Sequence, residues 1–122
     1  MTLDIKTITP EELHTEMLRQ RNKLKMDFLV NLIGMDWGEE GLGVIYMFES
    51  TATGETATLK TAVTDRENPY LDSVSDIWQI ANIYEREAYD FFGIRFLNHP
   101  DMRRIFLRED WTGYPMRKDN NP

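Results

Sequence analysis

The densest gathering of groups that could do chemistry is Glu85-Arg86-Glu87, followed by Asp90. Two carboxylates beside an arginine could exchange protons or hold a divalent cation. On a helix, however, Glu85 and Glu87 project about 200° apart and do not converge on one ligand. Arg86 and Asp90 stand four residues apart, the spacing of a helical ion pair. The cluster therefore reads as a structural salt-bridge network rather than a catalytic dyad.

His99-Pro100-Asp101 offers a histidine beside a carboxylate, but no serine, threonine or cysteine sits at a recognisable nucleophile elbow to use it. A turn histidine that hydrogen-bonds locally or across an interface is expected instead. Arg103, Arg104, Arg108, Arg117 and Lys118 interleave with Phe106, Trp111 and Tyr114. Basic residues among aromatics suit single-stranded nucleic acid, and equally a protein interface, where Trp, Tyr and Arg are the enriched anchors. Charge decides between them. Residues 1–93 carry 8 Lys and Arg against 17 Asp and Glu, whereas residues 94–122 carry 6 against 4. An acidic body with a mildly basic C-terminal segment points to a protein partner, not to nucleic acid.

Composition removes further chemistries. The chain has no cysteine, which excludes thiolate-held iron–sulfur clusters, thiolate zinc sites, disulfides and a nucleophilic thiol. Its two histidines, His14 and His99, are too few for an imidazole-rich metal site. No Gly-rich phosphate loop is present. Apolar runs such as Phe28-Leu29-Val30 are too short to span a bilayer. The acidic start Met1-Thr2-Leu3-Asp4 lacks the apolar stretch of a signal peptide.

These residues need a scaffold, and 122 residues suffice for one domain. Leu3 to Ile8 reads as a short strand. Thr9-Pro10-Glu11-Glu12 is a helix start, with Thr9 as cap, Pro10 at the first position and Glu12 closing a capping box. Leu13, Met17 and Leu24 would then share one face. Strands are expected over Met26–Met35, Val44–Phe48 and Ala57–Val63, the last with Ala57, Leu59, Thr61 and Val63 on one side. Asp36 reads as a turn residue beside a core aromatic, Trp37. A second capping box, Ser73 to Asp76, is expected to open a helix with Ile77, Ala81, Tyr84, Ala88 and Phe91 facing the sheet, closed by Gly93. The expected fold class is α+β: an antiparallel or mixed sheet of about four strands, two helices packed on it and an extended C-terminal segment. The domain is placed at residues 1–109. Residues 110–122 lack an apolar period and are broken by Gly113 and Pro115, so they are expected to form an interaction tail that orders on docking.

The stretch from Tyr84 to Phe96, running Tyr-Glu-Arg-Glu-Ala-Tyr-Asp-Phe-Phe-Gly-Ile-Arg-Phe, closely resembles the signature of the C subunit of NADH:quinone oxidoreductase, respiratory complex I. His99-Pro100-Asp101-Met102-Arg103-Arg104-Ile105 continues it, with Glu109-Asp110-Trp111, Gly113-Tyr114-Pro115 and Arg117-Lys118-Asp119. Weaker matches at Asp36-Trp37, Val44-Ile45-Tyr46, Ser73-Val74 and Ile77-Trp78 extend the likeness over roughly residues 29–119. Gln79 and Ile83 depart from the family's usual Pro and Trp, as packing differences.

The resemblance implies a protein with no cofactor of its own. NADH, FMN, iron–sulfur clusters and quinone belong to the parent complex. It implies packing against the D subunit, which helps form the quinone cavity, and against other components of the peripheral arm. The expected position is peripheral, on the cytoplasmic side of a bacterial or archaeal membrane, with membrane contact only through the complex. Glu85, Arg86, Glu87 and Asp90 would fix the helix and its exit at Gly93. His99, Pro100, Asp101, Arg103 and Arg104 would position the crossing segment, and Asp110, Trp111, Gly113, Pro115, Arg117 and Lys118 would lie along the partner. Two related settings share these residues: the equivalent component of an energy-converting membrane-bound hydrogenase, and the C part of a C–D fusion.

Overall fold

The computed structural model describes residues 5–105 and 113–119. Strand β1 (Ile5–Thr7) leads through a 3-10 turn, Pro10–Glu12, into helix α1 (Leu13–Asn22). Thr9 caps the 3-10 turn rather than α1 itself: the Glu12 N–H donates to Thr9 Oγ1 at 3.3 Å, with Pro10 in the first position, and the Glu12 carboxylate accepts from the Thr9 hydroxyl at 2.9 Å rather than from its backbone N–H. Leu13 and Met17 are buried, whereas Leu24 lies beyond the helix end and is exposed. Strands β2 (Phe28–Asp36), β3 (Leu42–Glu49) and β4 (Thr56–Val63) follow as an antiparallel meander, and β1 adds to β4 in parallel. The sheet order is β1-β4-β3-β2, a mixed four-stranded sheet.

Register places the core. Leu32 pairs with Tyr46 and Tyr46 with Leu59, while Gly34 pairs with Val44 and Val44 with Thr61. These side chains share one face by the period-two rule, and all six residues are buried. Helix α2 (Ala81–Phe92) packs along β2 at Gly34. A β-carbon there would stand 2.6 Å from Phe92 Cδ2, so glycine permits the close approach of helix and strand. Leu13 and Met17 of α1 join Ala81, Ala88 and Phe92 of α2 in the same core, with Phe48 and Trp78 rings 4.7 Å apart.

The second helix begins later than the sequence suggests. Ser73 to Asp76 do not cap it; α2 starts at Ala81. The Ser73 hydroxyl is engaged elsewhere, donating to Glu85 Oε1 at 2.6 Å. The buried face of α2 is Ala81, Glu85, Ala88 and Phe92, while Tyr84 and Phe91 sit at the margin. Two short strands, β5 (Tyr70–Asp72) and β6 (Arg95–Leu97), form a separate parallel pair that brackets the helix. Gly93 ends α2 in the left-handed region, φ 77°, with its N–H on Tyr89 O at 2.8 Å.

Candidate functional site: a braced helix exit

Three polar corners surround α2. At the first, Asp90 is fully buried and receives the Ile105 N–H at 2.8 Å, while Arg104 Nη1 donates to its carboxylate at 3.4 Å and to its backbone carbonyl at 3.1 Å. Arg104 also donates to Gly113 O at 2.9 Å, and its guanidinium lies 4.9 Å from the Tyr114 ring centre. Among the described residues, Arg104 thus places a cation on Asp90. Arg86, expected to take that role, donates instead to the carbonyls of Arg103 and Arg104 at 3.0 and 3.2 Å. The segment after β6 crosses the helix where Arg86 can reach its backbone, a contact that i,i+4 spacing does not reveal.

At the second corner, Glu85 lies at 0% exposure and accepts from Ser73 Oγ at 2.6 Å and the Val74 N–H at 2.8 Å. Burial pushes its carboxyl up to about 7, against the lowering effect of those two donors. His99 Nε2 is 3.9 Å from Glu85 Oε1. That contact is not an ion pair: the Asp101 N–H donates to His99 Nδ1 at 2.9 Å, so the ring proton sits on Nε2, which faces Asn82 O at 3.0 Å. His99 is therefore the locally bonded turn histidine. Asp101 also pairs with Arg103 at 2.6 Å, which holds its carboxyl below the usual range, in an exposed setting that adds little stability.

The third corner was not legible in the signature. Arg66 grips Asp36 bidentately, Nη1 to Oδ1 at 2.9 Å and Nη2 to Oδ2 at 2.7 Å. The Gly38 and Lys118 N–H groups donate to the same carboxylate at 2.9 and 2.7 Å. The Arg66 hydrogen bonds, helped by those donors, hold Asp36 far below the usual carboxylate range despite burial. Arg117 continues the chain, donating to Arg66 O at 2.7 Å and to Asp119 at 2.9 Å. Asp36 is thus more than a turn residue, and its neighbour Trp37 is partly exposed, 5.2 Å from Lys60 Nζ, rather than in the core. Only the weak Asp36-Trp37 resemblance hinted at Asp36, and nothing in the sequence marked Arg66.

The remaining signature residues fall around these corners. Glu87 is partly buried on α2, Pro100 and Pro115 are exposed, and Gly113 receives Arg104. The Met116 N–H donates to Phe91 O at 3.0 Å, so residues 113–119 lie against their own domain. Asp110 and Trp111 lie outside the described residues. Among the described residues, no group of three or more His, Asp or Glu could hold a metal ion. None of their helices is long and apolar enough to cross a membrane.

Fold and site together define a small α+β module on a mixed four-stranded sheet, in which a charged signature ties one helix to the segment that follows it. The chain belongs to the family described as respiratory-chain NADH dehydrogenase, 30 Kd subunit, whose sequence model matches residues 7–122. A similar protein from Bacteroides thetaiotaomicron, named as the C/D subunit of NADH-quinone oxidoreductase, is 60% identical over 98% of this chain and 24% of its own length. Another from Chloroherpeton thalassium, named as the C subunit of NADH-quinone oxidoreductase, is 44% identical over 84% of this chain and 42% of its own. The chain therefore spans about a quarter to two-fifths of these relatives. A solved structure described as a membrane-bound sulfane sulfur reductase, an archaeal respiratory membrane complex, contains a chain that superposes with TM-score 0.81. That likeness has 26% identity and covers 96% of this chain and 71% of the other.

Proposed function

We propose that this chain is a cofactor-free peripheral-arm component of a membrane-bound NADH:quinone oxidoreductase, supporting assembly and contacting the D subunit near the quinone cavity. The observation that carries this reading is the family match over residues 7–122. The geometry agrees with a supporting role: the charged signature is spent on bracing α2 against residues 103–105, through Arg86, Asp90 and Arg104. In this reading the exposed Arg103, Pro100, Pro115 and Lys118 face the partner, and residues 110–122 run along it with Lys118 held at Asp36. The complex would hold the chain on the cytoplasmic side of the membrane.

A second reading, the C part of a C–D fusion, is favoured by a specific observation. The relatives 55–61% identical to this chain carry the C/D name, and the match covers only 22–24% of their length. One experiment separates the readings. Antibody against this chain, applied to detergent-solubilised native membranes, should capture the D subunit as a separate polypeptide with NADH–quinone activity if the C module stands alone. A single band several times larger than this chain, carrying peptides of the D module, would establish the fusion. Capture with a nickel-site hydrogenase component and no NADH-site component would assign the module to a hydrogenase. Recovery from the soluble fraction without any respiratory component would overturn the proposal.

A further inference from the structure

Glu85 is unusual among the signature carboxylates. Asp90 and Asp36 each hold a guanidinium, whereas among the described residues no lysine or arginine pairs with Glu85. Its two donors are both neutral, the Ser73 hydroxyl and the Val74 N–H. An ionised carboxylate at full burial without a counter-charge is costly, so a carboxyl in this setting holds a proton far more readily than one in water.

The neighbours permit both protonation states without moving. Ser73 Oγ lies 2.6 Å from Glu85 Oε1 and 2.9 Å from Ser75 Oγ, and either serine can be the donor of the second bond. With Glu85 ionised, the order is Ser75 to Ser73 to carboxylate. With Glu85 protonated, the carboxylic O–H donates to Ser73, which donates to Ser75. The Val74 N–H serves the other oxygen in each case. Ser73 also lines a surface cavity of about 410 Å³, together with His14, Asp72, Asp76 and Asn98. Ser73 thus stands between the carboxyl, which its hydroxyl bonds, and the cavity it lines, a short path for a proton.

We propose that Glu85 is a proton-binding site, filled and emptied through the Ser73–Ser75 hydroxyl pair from the cavity lined by His14, Asp72 and Asp76. On release, the carboxylic O–H bond breaks as its proton passes to Ser73 Oγ. The original Ser73 proton passes to Ser75 Oγ as the Ser75 proton leaves to solvent, or passes from Ser73 directly to solvent in the cavity, so that both serines end neutral. His99 is not the route, because each of its ring nitrogens is already bonded, to Asn82 O and to the Asp101 N–H.

The charges facing the site come from several elements. Asp72 on β5 and Asp76 beyond it are negative, and Asp76 holds His14 of α1 at 2.8 Å. Arg21 of α1 reaches the same turn, donating to Ile77 O at 2.7 Å. Strand β3 contributes the Tyr46 hydroxyl, fully buried with no hydrogen-bond partner among the described residues. The β2 strand packed along α2 has no charged side chain from Phe28 to Met35. On α2 itself, Arg86 is committed to the carbonyls of Arg103 and Arg104, and Glu87 lies beside it; Asp101 and Arg103 pair with each other. Of these charges Asp76 acts on the carboxyl directly, and its negative charge favours proton uptake.

The experiment is a titration of the full chain labelled with ¹³C at the glutamate side-chain carboxyl. One resonance should titrate near pH 7, well above the others, and should disappear in Glu85→Gln. Ser73→Ala should move that midpoint upward by about one pH unit, the effect of losing one hydrogen bond to the charged form. If Glu85→Gln does not fold, the displaced resonance in Ser73→Ala identifies the group by itself. A chain in which every glutamate titrates in the ordinary carboxylate range would overturn the proposal. So would a high midpoint that Ser73→Ala leaves in place, since the hydroxyl would then not serve the carboxyl.

Discussion

Asp36 and Glu85 are both removed from solvent, at 8% and 0% exposure, yet their acidities move in opposite directions. Asp36 has a bidentate arginine and two backbone N–H donors, and these outweigh its burial. Glu85 has two neutral donors, and burial wins. Burial alone therefore does not set the charge of a carboxyl; the presence of a guanidinium within hydrogen-bond reach does. The Asp36 corner is a fixed ionic clamp that joins β2, the loop at Arg66 and the C-terminal segment. The Glu85 corner is one whose charge can change.

Breaking the clamp gives the largest expected effect. Arg66→Ala leaves the Asp36 carboxylate buried with only backbone donors and also removes the guanidinium from Asp119, while the residue 66 carbonyl that receives Arg117 remains. Removing one partner of a buried pair costs roughly 3–5 kcal/mol. Arg66 is a quarter exposed, so the lower end, about 3 kcal/mol, is expected in urea denaturation at neutral pH. A loss below about 1 kcal/mol would make the clamp an ordinary surface pair and remove the contrast.

The two corners should next separate by pH. The folded value of Glu85 is raised above its ordinary 4.5, to about 7. Its contribution is thus fully present below pH 4.5 and is lost as pH rises through 7. The shift corresponds to at most about 3 kcal/mol at 1.36 kcal/mol per unit. Asp36 is lowered from its ordinary 3.8, so its contribution is present above that value and is lost as pH falls below it. Denaturation at pH 5 and pH 8 should show the wild-type chain losing stability relative to Glu85→Gln as pH rises. A constant difference between the two chains would place Glu85 in the same class as Asp36.

A smaller effect is expected where the helix meets the C-terminal segment. Gly93→Ala forces an alanine into φ 77° and puts its β-carbon 2.8 Å from the Tyr114 ring. The left-handed backbone costs about 1–2 kcal/mol for a residue with a side chain. Thermal melts should show that loss, and near-ultraviolet dichroism should report displacement of Tyr114 from Tyr89, whose rings lie 6.1 Å apart. A melt unchanged from wild type would mean that neither the turn nor the ring contact contributes.

What the sequence revealed, and what it did not, follows the range of the interactions. The meander of β2, β3 and β4 was readable because its period and turns are local, and Thr9-Pro10 and Gly93 announced helix ends by their own chemistry. Ser73 misled because the same hydroxyl that caps a helix can serve a carboxylate twelve residues away. Arg86 was assigned to Asp90 because helical spacing shows only neighbours on the helix, whereas Arg104 arrives from a crossing segment. The clamp was invisible for the same reason: Lys118 and Asp36 are 82 residues apart. Family resemblance singled out the charged residues at α2 without saying which partner each takes.

In the C-terminal segment, composition and geometry pull apart. Without an apolar period, residues 110–122 read as a tail that orders on a partner. Yet the Met116 N–H reaches Phe91 O, and the Lys118 N–H reaches Asp36 Oδ2 at 2.7 Å. Hydrogen exchange on the 122-residue chain should therefore show protection at Met116 and Lys118 without any partner. Asp36→Asn should weaken it by about 1 kcal/mol of local opening energy, the order of one hydrogen bond. The amide of the new side chain can no longer accept at both positions, so Arg66 loses one of its two bonds and either the Gly38 or the Lys118 N–H loses its acceptor. Glu85→Gln should leave the protection at Lys118 untouched, because no hydrogen bond links that corner to the segment through Asp36. Equal loss in both variants would mean that the corners open together. Absence of protection in the wild-type chain would return residues 116–118 to the partner, and the clamp would then end at Arg66.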